Sequence, residues 1–374
     1  MKVILVSNTA GLLRSFYLPV LRALRGTGAE VVVATPQDDD AQVLIREGFR
    51  HAPLPITRAL RFPARDLMAF VEILRLYRRE RPDLVHHFTA KPIVLGSLAA
   101  KLVGIPCRMA TFAGLGYVFA KASWLARVGQ WLMLRIYRIV LDGRNSWVVF
   151  ANPDDRELLL HHSVVANDRA VVVLSFGVDT RAFPFTPLPA GTPVVLCAAR
   201  LLWDKGVGDF AAAAKLLRTR GVRARFLLAG WRDAAHPVAI PEAVLNAWQR
   251  EGIVEYIGHC HDMVRLLKQS TIVVLPSKYR EGVPQILIEA ASIGRPVIAT
   301  DVPGCREACV DGHNGRVVKP GDPEGLAEAM NQLLSNRRET EEMARRGREL
   351  AEGRFNLDRI VAETLRAYAA ATPA

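Results

Sequence analysis

The sequence predicts an α/β protein built from two doubly wound, Rossmann-like domains, and three observations carry that prediction. Short apolar runs alternate with amphipathic stretches along most of the 374 residues. That alternation is the signature of parallel β-α units with helices on both faces of each sheet. A proline-rich segment interrupts the pattern near mid-chain, and the same rhythm restarts after it.

Taken in order, strands are expected at Val3–Val6, Val31–Ala34, Leu84–Phe88, Arg108–Phe112 and Trp147–Phe150, short and mostly apolar segments. Helices are expected between them, around Ser15–Arg25, Arg65–Arg79, Ile93–Leu102, Trp124–Val140 and Asp154–His161. Residues 183–193 then place four prolines in eleven positions. Such a segment neither pairs as a central strand nor continues a helix, so it reads as an interdomain linker. Beyond it, strands are expected at Val194–Ala198, Arg225–Ala229, Val254–Ile257, Ile272–Leu275 and Val297–Thr300. Their helices fall near Val207–Thr219, Pro241–Gln249, Met263–Gln269, Pro284–Ser292, Pro323–Leu334 and Thr340–Glu352. The expected domains are therefore 1–182 and 194–354, with a cleft between them. The segment 355–374 forms a last helix that is a candidate to cross back onto the first domain. In open α/β sheets ligands sit beyond the carboxyl ends of the strands, so two facing domains can divide a donor and an acceptor.

Half of the residues are apolar and 23% are charged, which excludes a largely disordered chain. The five cysteines are scattered without a C-x-x-C pair, so neither a disulfide framework nor a zinc ribbon is expected. The apolar run after Met1-Lys2 is too short for a signal-peptide core, and no run reaches the ~18 apolar residues of a membrane span. A cytoplasmic location follows as the expectation. The net charge of +12 is uneven. Residues 1–170 carry 23 basic and 14 acidic side chains, and residues 171–374 carry 26 and 23. A basic first half suits an anionic partner: nucleic acid, an acidic bilayer or a phosphorylated substrate. Arginine-rich codon usage is the plainer explanation of the same excess.

The most informative segment is Tyr279-Arg280-Glu281-Gly282-Val283-Pro284, which leads into Gln285-Ile286-Leu287-Ile288-Glu289. It follows an expected strand, and Pro284 suits a helix start. Gly282 permits close approach to the backbone. A helix beginning at Val283/Pro284 would point free N–H groups and a positive dipole at an anion. Glu281 and Glu289 could accept hydrogen bonds from hydroxyls on two parts of one ligand, such as a sugar and a ribose. A second segment, Arg200-Leu201-Leu202-Trp203-Asp204-Lys205-Gly206, offers a guanidinium fork and a compact ammonium. Together these suit a diphosphate. Each segment alone also fits ordinary surface chemistry.

Arg200…Lys205-Gly206, followed about eighty residues later by Glu281-x7-Glu289, resembles the retaining glycosyltransferases of family 4, which have the GT-B fold. Along the chain Ser7-Asn8-Thr9, Pro82-Asp83-Leu84-Val85-His86, Thr89-Ala90-Lys91-Pro92, Gly114-Leu115-Gly116-Tyr117, Asn152-Pro153-Asp154-Asp155 and Gly177-Val178-Asp179 resemble one bacterial branch of that family. So does Thr300-Asp301-Val302-Pro303-Gly304. That branch assembles capsule, O-antigen and protein-glycan precursors on undecaprenyl diphosphate. The resemblance implies that Glu281 contacts the donor sugar and Glu289 the ribose. It implies that Arg200 and Lys205 hold the diphosphate with the backbone of Gly282 and Val283. Gly230 and the loop from Gly258 to Asp262 would lie near the base. It further implies a UDP-sugar donor, often an N-acetylhexosamine, and a lipid-linked glycan acceptor. No covalent intermediate and no required metal are expected.

Many members of the family carry a histidine after the strand that here reads Arg108–Phe112, and this chain has none there. His86 and His87 are the nearest substitutes, and with Asn8, Thr89, Lys91 and Gly114 they are candidates for the acceptor side. Asp38-Asp39-Asp40 could in principle bind a divalent ion against a diphosphate, but its place after Thr35-Pro36-Gln37 favours acidic residues at a helix N-terminus. His259-Cys260-His261 are adjacent rather than spaced as metal ligands are. Residues Gly116–Arg138 interleave Lys121, Arg127, Arg135 and Arg138 with Tyr117, Trp124 and Trp131. They suit the face of an anionic bilayer, or else a helix packing its Trp/Leu face on the sheet. The expected location is thus the inner face of the cell membrane, held peripherally. Rival functions are a UDP-sugar epimerase of the same plan, a non-catalytic partner of a transferase, a dehydrogenase and a nucleic-acid binder. The absence of G-x-G-x-x-G after the first strand counts against the dehydrogenase. No aromatic-rich recognition motif supports nucleic acid.

Overall fold

In the computed structural model, residues 1–57, 63–115, 119, 124–234 and 236–372 are described. They form two units, Met1–Phe176 with Arg359–Ala374, and Gly177–Asp358.

The sheet of the first unit contains β1 (Lys2–Val6), β2 (Glu30–Thr35), β3 (Arg50–Pro53), β4 (Leu84–Phe88), β5 (Cys107–Phe112), β6 (Ser146–Phe150) and β7 (Ala170–Val172). Their spatial order is β3-β2-β1-β4-β5-β6-β7. The second unit contains β8 (Val194–Ala198), β9 (Arg225–Ala229), β10 (Glu255–Tyr256), β11 (Ile272–Leu275), β12 (Val297–Thr300) and β13 (Gly315–Val318), ordered β10-β9-β8-β11-β12-β13. All the pairings are parallel, as in Val6 beside His87 and Val274 beside Cys197. Strand order reverses between β1 and β4 and between β8 and β11. These are the switch points where α/β sheets open a crevice at their carboxyl ends. Of the strands beside them, β4, β8 and β11 are buried along their whole length and β1 from Val3 onward, because helices cover both faces.

The outer strands β3, β7 and β13 lie where no strand was expected. Each is only three or four residues long and partly exposed, so none shows an apolar run. The boundary between the units also differs from the expectation. It falls at Phe176/Gly177, and residues 183–193 belong to the second unit rather than bridging two domains. The cause is Arg295, only 1% exposed. Its guanidinium donates to the carbonyls of Thr186 (2.8 Å), Pro187 (3.2 Å), Leu267 (2.9 Å) and Lys268 (3.2 Å). Ser292 Oγ donates to Phe183 O at 2.7 Å, anchoring the start of the segment.

The final helix, Leu357–Ala371, buries Ile360, Ala367, Tyr368 and Ala371 in the core that holds Leu5, Leu13, Val33 and Phe88. The helix Trp124–Leu141 turns Tyr137, Val140 and Leu141 inward and leaves Trp124, Val128, Trp131, Leu132 and Ile139 between 52 and 72% exposed. Its tryptophan face is therefore not the face that packs on the sheet. Tyr117 and Lys121, singled out with it, lie outside the described residues.

Candidate active site

In the second unit the chemistry collects beyond the ends of β8 and β11. After β8 the chain makes one tight turn at Trp203–Lys205 before the helix Val207–Thr219. After β11 a loop runs to the helix Gln285–Ile293. Lys278 N donates to Asp204 O at 2.8 Å and ties the two loops together. Lys205 Nζ lies 2.5 Å from Glu281 Oε1, and the same oxygen accepts from Ser277 Oγ at 2.7 Å. The Lys205 and Glu281 side chains are 14% and 12% exposed. Burial works against the charge on Lys205, but the Glu281 carboxylate and Tyr279 outweigh it and raise the lysine pKa. The ammonium sits 5.0 Å from the centre of the Tyr279 ring, and Arg200 Nη2 lies 3.5 Å from the Tyr279 hydroxyl. Tyr279 thus stands between the two cations, with Arg200 exposed to solvent.

The helix begins at Gln285, one or two residues later than expected, because Pro284 keeps an extended ψ of 123° and flanks the first turn. That end has neither a side-chain cap nor an acidic residue in its first turn, so its positive pole is open to an anion. Gly282 and Val283 form the approach to it, Val283 being 7% exposed. Behind them Gly304 has φ +81°, and a Cβ there would collide with the Gly282 carbonyl. Glu289 lies one turn into the helix. Burial pushes its carboxyl up to about 7, against the opposing hydrogen bond from Gln285. Gln285 Nε2 donates to Gly177 O at 2.9 Å, while its buried Oε1 has no partner.

Gly230 and Gly258 meet beside this cluster. Gly230 N donates to Gly258 O at 2.8 Å, and Gly230 O accepts from the Tyr256 hydroxyl at 3.2 Å. Gly230 holds φ +147° against the Ala199 carbonyl, where a Cβ would overlap. Asp262 stands apart: its carboxylate caps the helix Met263–Gln269 by accepting from Arg265 N at 2.9 Å. The rings of His259 and His261 pack edge to face, 4.6 Å apart. Among the described residues no three His, Cys, Asp or Glu side chains are grouped as metal ligands. Asp38 accepts from Ala41 N at 2.8 Å as a helix cap, and Asp40 pairs with Arg14.

The first unit corrects the reading of its histidines. His86 and His87 are both fully buried. His86 Nδ1 lies 2.5 Å from the Tyr368 hydroxyl and Nε2 lies 2.6 Å from Thr111 Oγ1. His87 Nε2 lies 2.7 Å from the Tyr77 hydroxyl and Nδ1 lies 3.1 Å from Ser97 Oγ. Both rings spend both nitrogens inside the protein, and burial lowers their pKa values, that of His87 to about 3. Neither can line an acceptor site or replace the missing family histidine. Lys91 is paired with Asp66 at 2.6 Å. Asn8 and Gly114 follow β1 and β5 and are partly exposed. Thr89, just after β4, holds φ +69° with its buried Oγ1 unpartnered. Sequence reasoning left Ser277 out and gave Tyr279 no role. Their one visible signal is their place within four residues of the end of the apolar strand that precedes Glu281.

Two family models match this chain: "Glycosyl transferase 4-like" over residues 2–150 and "Glycosyl transferases group 1" over residues 192–336. Among curated relatives, the chain is 28% identical over 351 residues to the N,N'-diacetylbacillosaminyl-diphospho-undecaprenol alpha-1,3-N-acetylgalactosaminyltransferase of Campylobacter jejuni, covering 90% of each. It is 23% identical to the UDP-Gal:alpha-D-GlcNAc-diphosphoundecaprenol alpha-1,3-galactosyltransferase of Escherichia coli, covering 73% of this chain and 72% of the other. Its fold matches the crystal structure of Anabaena HepE in complex with UDP at TM-score 0.80, with 17% identity over 99% of this chain and 100% of that one.

Proposed function

Because this chain belongs to the group 1, family-4-like glycosyltransferases of GT-B fold, we propose that it is a retaining (α) transferase that moves a sugar from a UDP-sugar to an undecaprenyl-diphosphate-linked glycan. An N-acetylhexosamine is the proposed sugar. The observation that carries this reading is the cluster of Arg200, Lys205 and Glu281 around Tyr279, set before the uncapped N-terminus of the helix Gln285–Ile293. In this reading Arg200 and Lys205 neutralise the diphosphate as it leaves, where preorganised charge acts most strongly. The backbone at Gly282 and Val283 supports the same group. Glu281, held by Lys205 and Ser277, orients the sugar hydroxyls, and Glu289 accepts from the ribose. The turn around Gly230 and Gly258 faces the base. The acceptor attacks on the face from which the diphosphate departs, and a donor phosphate oxygen takes its proton.

Two cations already face the diphosphate in this arrangement, so no metal is required in it. Activity abolished by EDTA and restored by Mn²⁺ would overturn that part. The lipid-linked acceptors of the two bacterial relatives support a lipid-linked acceptor here, and with it peripheral attachment to the inner face of the membrane. Among the described residues no helix is long and apolar enough to cross a membrane.

The test is a thermal-shift panel of UDP, GDP, ADP and UDP-N-acetylhexosamines without added metal, since a ligand of the folded state raises the melting point. UDP and one UDP-sugar are expected to stabilise. Transfer from that sugar onto a lipid-linked glycan should follow, with retention read from the anomeric signals of the product. Stabilisation by GDP or ADP alone would overturn the donor assignment.

A further inference from the structure

The helix Trp124–Leu141 carries no acidic residue, and its three arginines lie on its exposed side. At 3.6 residues per turn, Arg127, Arg138, Trp131, Trp124, Arg135, Val128, Ile139 and Leu132 follow one another around about 140° of its circumference. The apolar members are exposed as well as the arginines, Trp124 at 72%, Ile139 at 61% and Trp131 at 57%. Large apolar side chains grouped on one water-facing surface, here with Arg135 set among them, mark an interaction site. One edge of the stripe is basic, and it opens into a cleft of about 270 Å³ between this helix and the turn after the helix Pro153–His161. Its lining includes Trp131, Arg135, Arg138, His161, His162 and Ser163, with no carboxylate.

Two details make the cleft a receptor for an anion. Neither Arg135 nor Arg138 has an ion-pair partner among the described residues, and the guanidinium of Arg135 is instead held 5.2 Å from the centre of the Trp131 ring. At this point three of the last four carbonyls of the helix Pro153–His161 are occupied. The carbonyls of Leu158, Leu159 and Leu160 accept from the backbone of His162, Val164 and Ser163, the last of these at 2.8 Å, with Ser163 at φ +52°. An anion in the cleft would lie beside the Arg135 and Arg138 guanidinium groups, with these three carbonyls already paired.

We propose that this face seats on an anionic phospholipid bilayer, with the aromatic stripe entering the headgroup region and a lipid phosphate held in the cleft by Arg135 and Arg138. Tryptophan and aliphatic side chains beside arginines are the composition that lies in such an interface. The planar fork of arginine matches phosphate geometry in a way that lysine does not. The inference rests on the peripheral attachment proposed above and names the surface that achieves it.

The full chain is to be sedimented with phosphatidylglycerol vesicles and, separately, with phosphatidylcholine vesicles. The wild type is expected to sediment with the former and to stay in solution with the latter. R135Q/R138Q should lower partitioning onto phosphatidylglycerol by tenfold or more, given roughly fivefold for each basic residue near such a surface. R135K/R138K keeps the charge and removes the fork; it should still cost about fivefold, whereas R127K, on the same edge but outside the cleft, should cost nothing. Full binding by R135K/R138K would overturn the cleft. Failure of the wild type to sediment with phosphatidylglycerol, or equal binding to both lipids, would overturn the surface. The UDP-induced melting shift, measured without vesicles, checks the fold of every variant. It also separates these failures from failure of the transferase reading.

Discussion

Polar side chains gather at the carboxyl ends of the central strands in both units, and the two gatherings do opposite things. In the first unit His86 and His87, on β4, are turned wholly inward, and every ring nitrogen is bonded to another side chain. In the second, Arg200 is exposed, Lys205 and Glu281 form a partly open pair, and a helix end stands uncapped beside them. A polar group sealed in a core and bonded on all sides gives rigidity and leaves nothing for a ligand. A partly open one keeps capacity for a ligand. The same β-α plan thus supplies a sealed polar frame in one half and a partly open polar cluster in the other. A histidine at a strand end is not evidence of chemistry until its nitrogens are accounted for.

The sharpest way to break this contrast is at Arg200. Arg200→Ala is expected to lower kcat by about 10²–10³-fold, the range for removing one preorganised charge-stabilising group, while the melting point stays near that of the wild type. Full turnover with unchanged donor binding would remove Arg200 from the site.

Tyr368→Phe should do the reverse. It leaves His86 Nδ1 buried without its partner, at a cost of about 1–3 kcal/mol in stability, seen as a lower denaturation midpoint with an unchanged Kd for UDP. A shift in UDP affinity as large as the loss of stability would show that the frame is not separate from the surface.

The smallest effect is a pH dependence at Glu289. Its carboxyl is pushed up to about 7 in the folded protein, above its ordinary 4.5. The folded chain therefore holds a proton that the unfolded chain has released. The associated stability is full below about pH 4.5 and is lost as the pH rises through 7. Ribose hydroxyls donating to the ionised carboxylate would favour its loss, so UDP should bind more tightly at pH 8 than at pH 6, by at most about tenfold. Glu289→Gln should flatten that difference when both proteins are titrated by calorimetry. An unaltered pH dependence in the variant would place the ribose elsewhere.

The parts of this molecule legible in its sequence are those that speak through local pattern. β1, β8 and β11 are buried on both faces and show apolar runs; β4 and β5 are as deeply buried, but His86, His87, Arg108 and Thr111 interrupt theirs. β3, β7 and β13 are short edge strands with water on one side, and Arg50-His51-Ala52-Pro53 gives no sign of pairing. Arg200, Lys205, Glu281 and Glu289 stand out as candidates in the sequence because they lie in segments that follow a strand or lead into a helix in a recognisable order. The anchoring of residues 183–193 was not, because it depends on Arg295, more than a hundred positions away, and prolines look the same in a linker and in a strapped segment. The partners of His86 and His87 were hidden for the same reason. The Tyr368 hydroxyl that occupies His86 is 282 residues distant in the chain.

That distance has a consequence for how the protein is made. The first unit is discontinuous, since Met1–Phe176 is completed by Arg359–Ala374. On the ribosome its sheet can assemble early, but His86 stays without one partner, and the surface around Leu5 and Phe88 stays uncovered, until the last helix has been synthesised. The second unit, encoded in one uninterrupted stretch, can reach its final form sooner. The domain that begins first is the one that finishes last. A nascent chain stalled short of Tyr368 would display an open hydrophobic face to chaperones and proteases while already carrying Arg200, Lys205, Glu281 and Glu289.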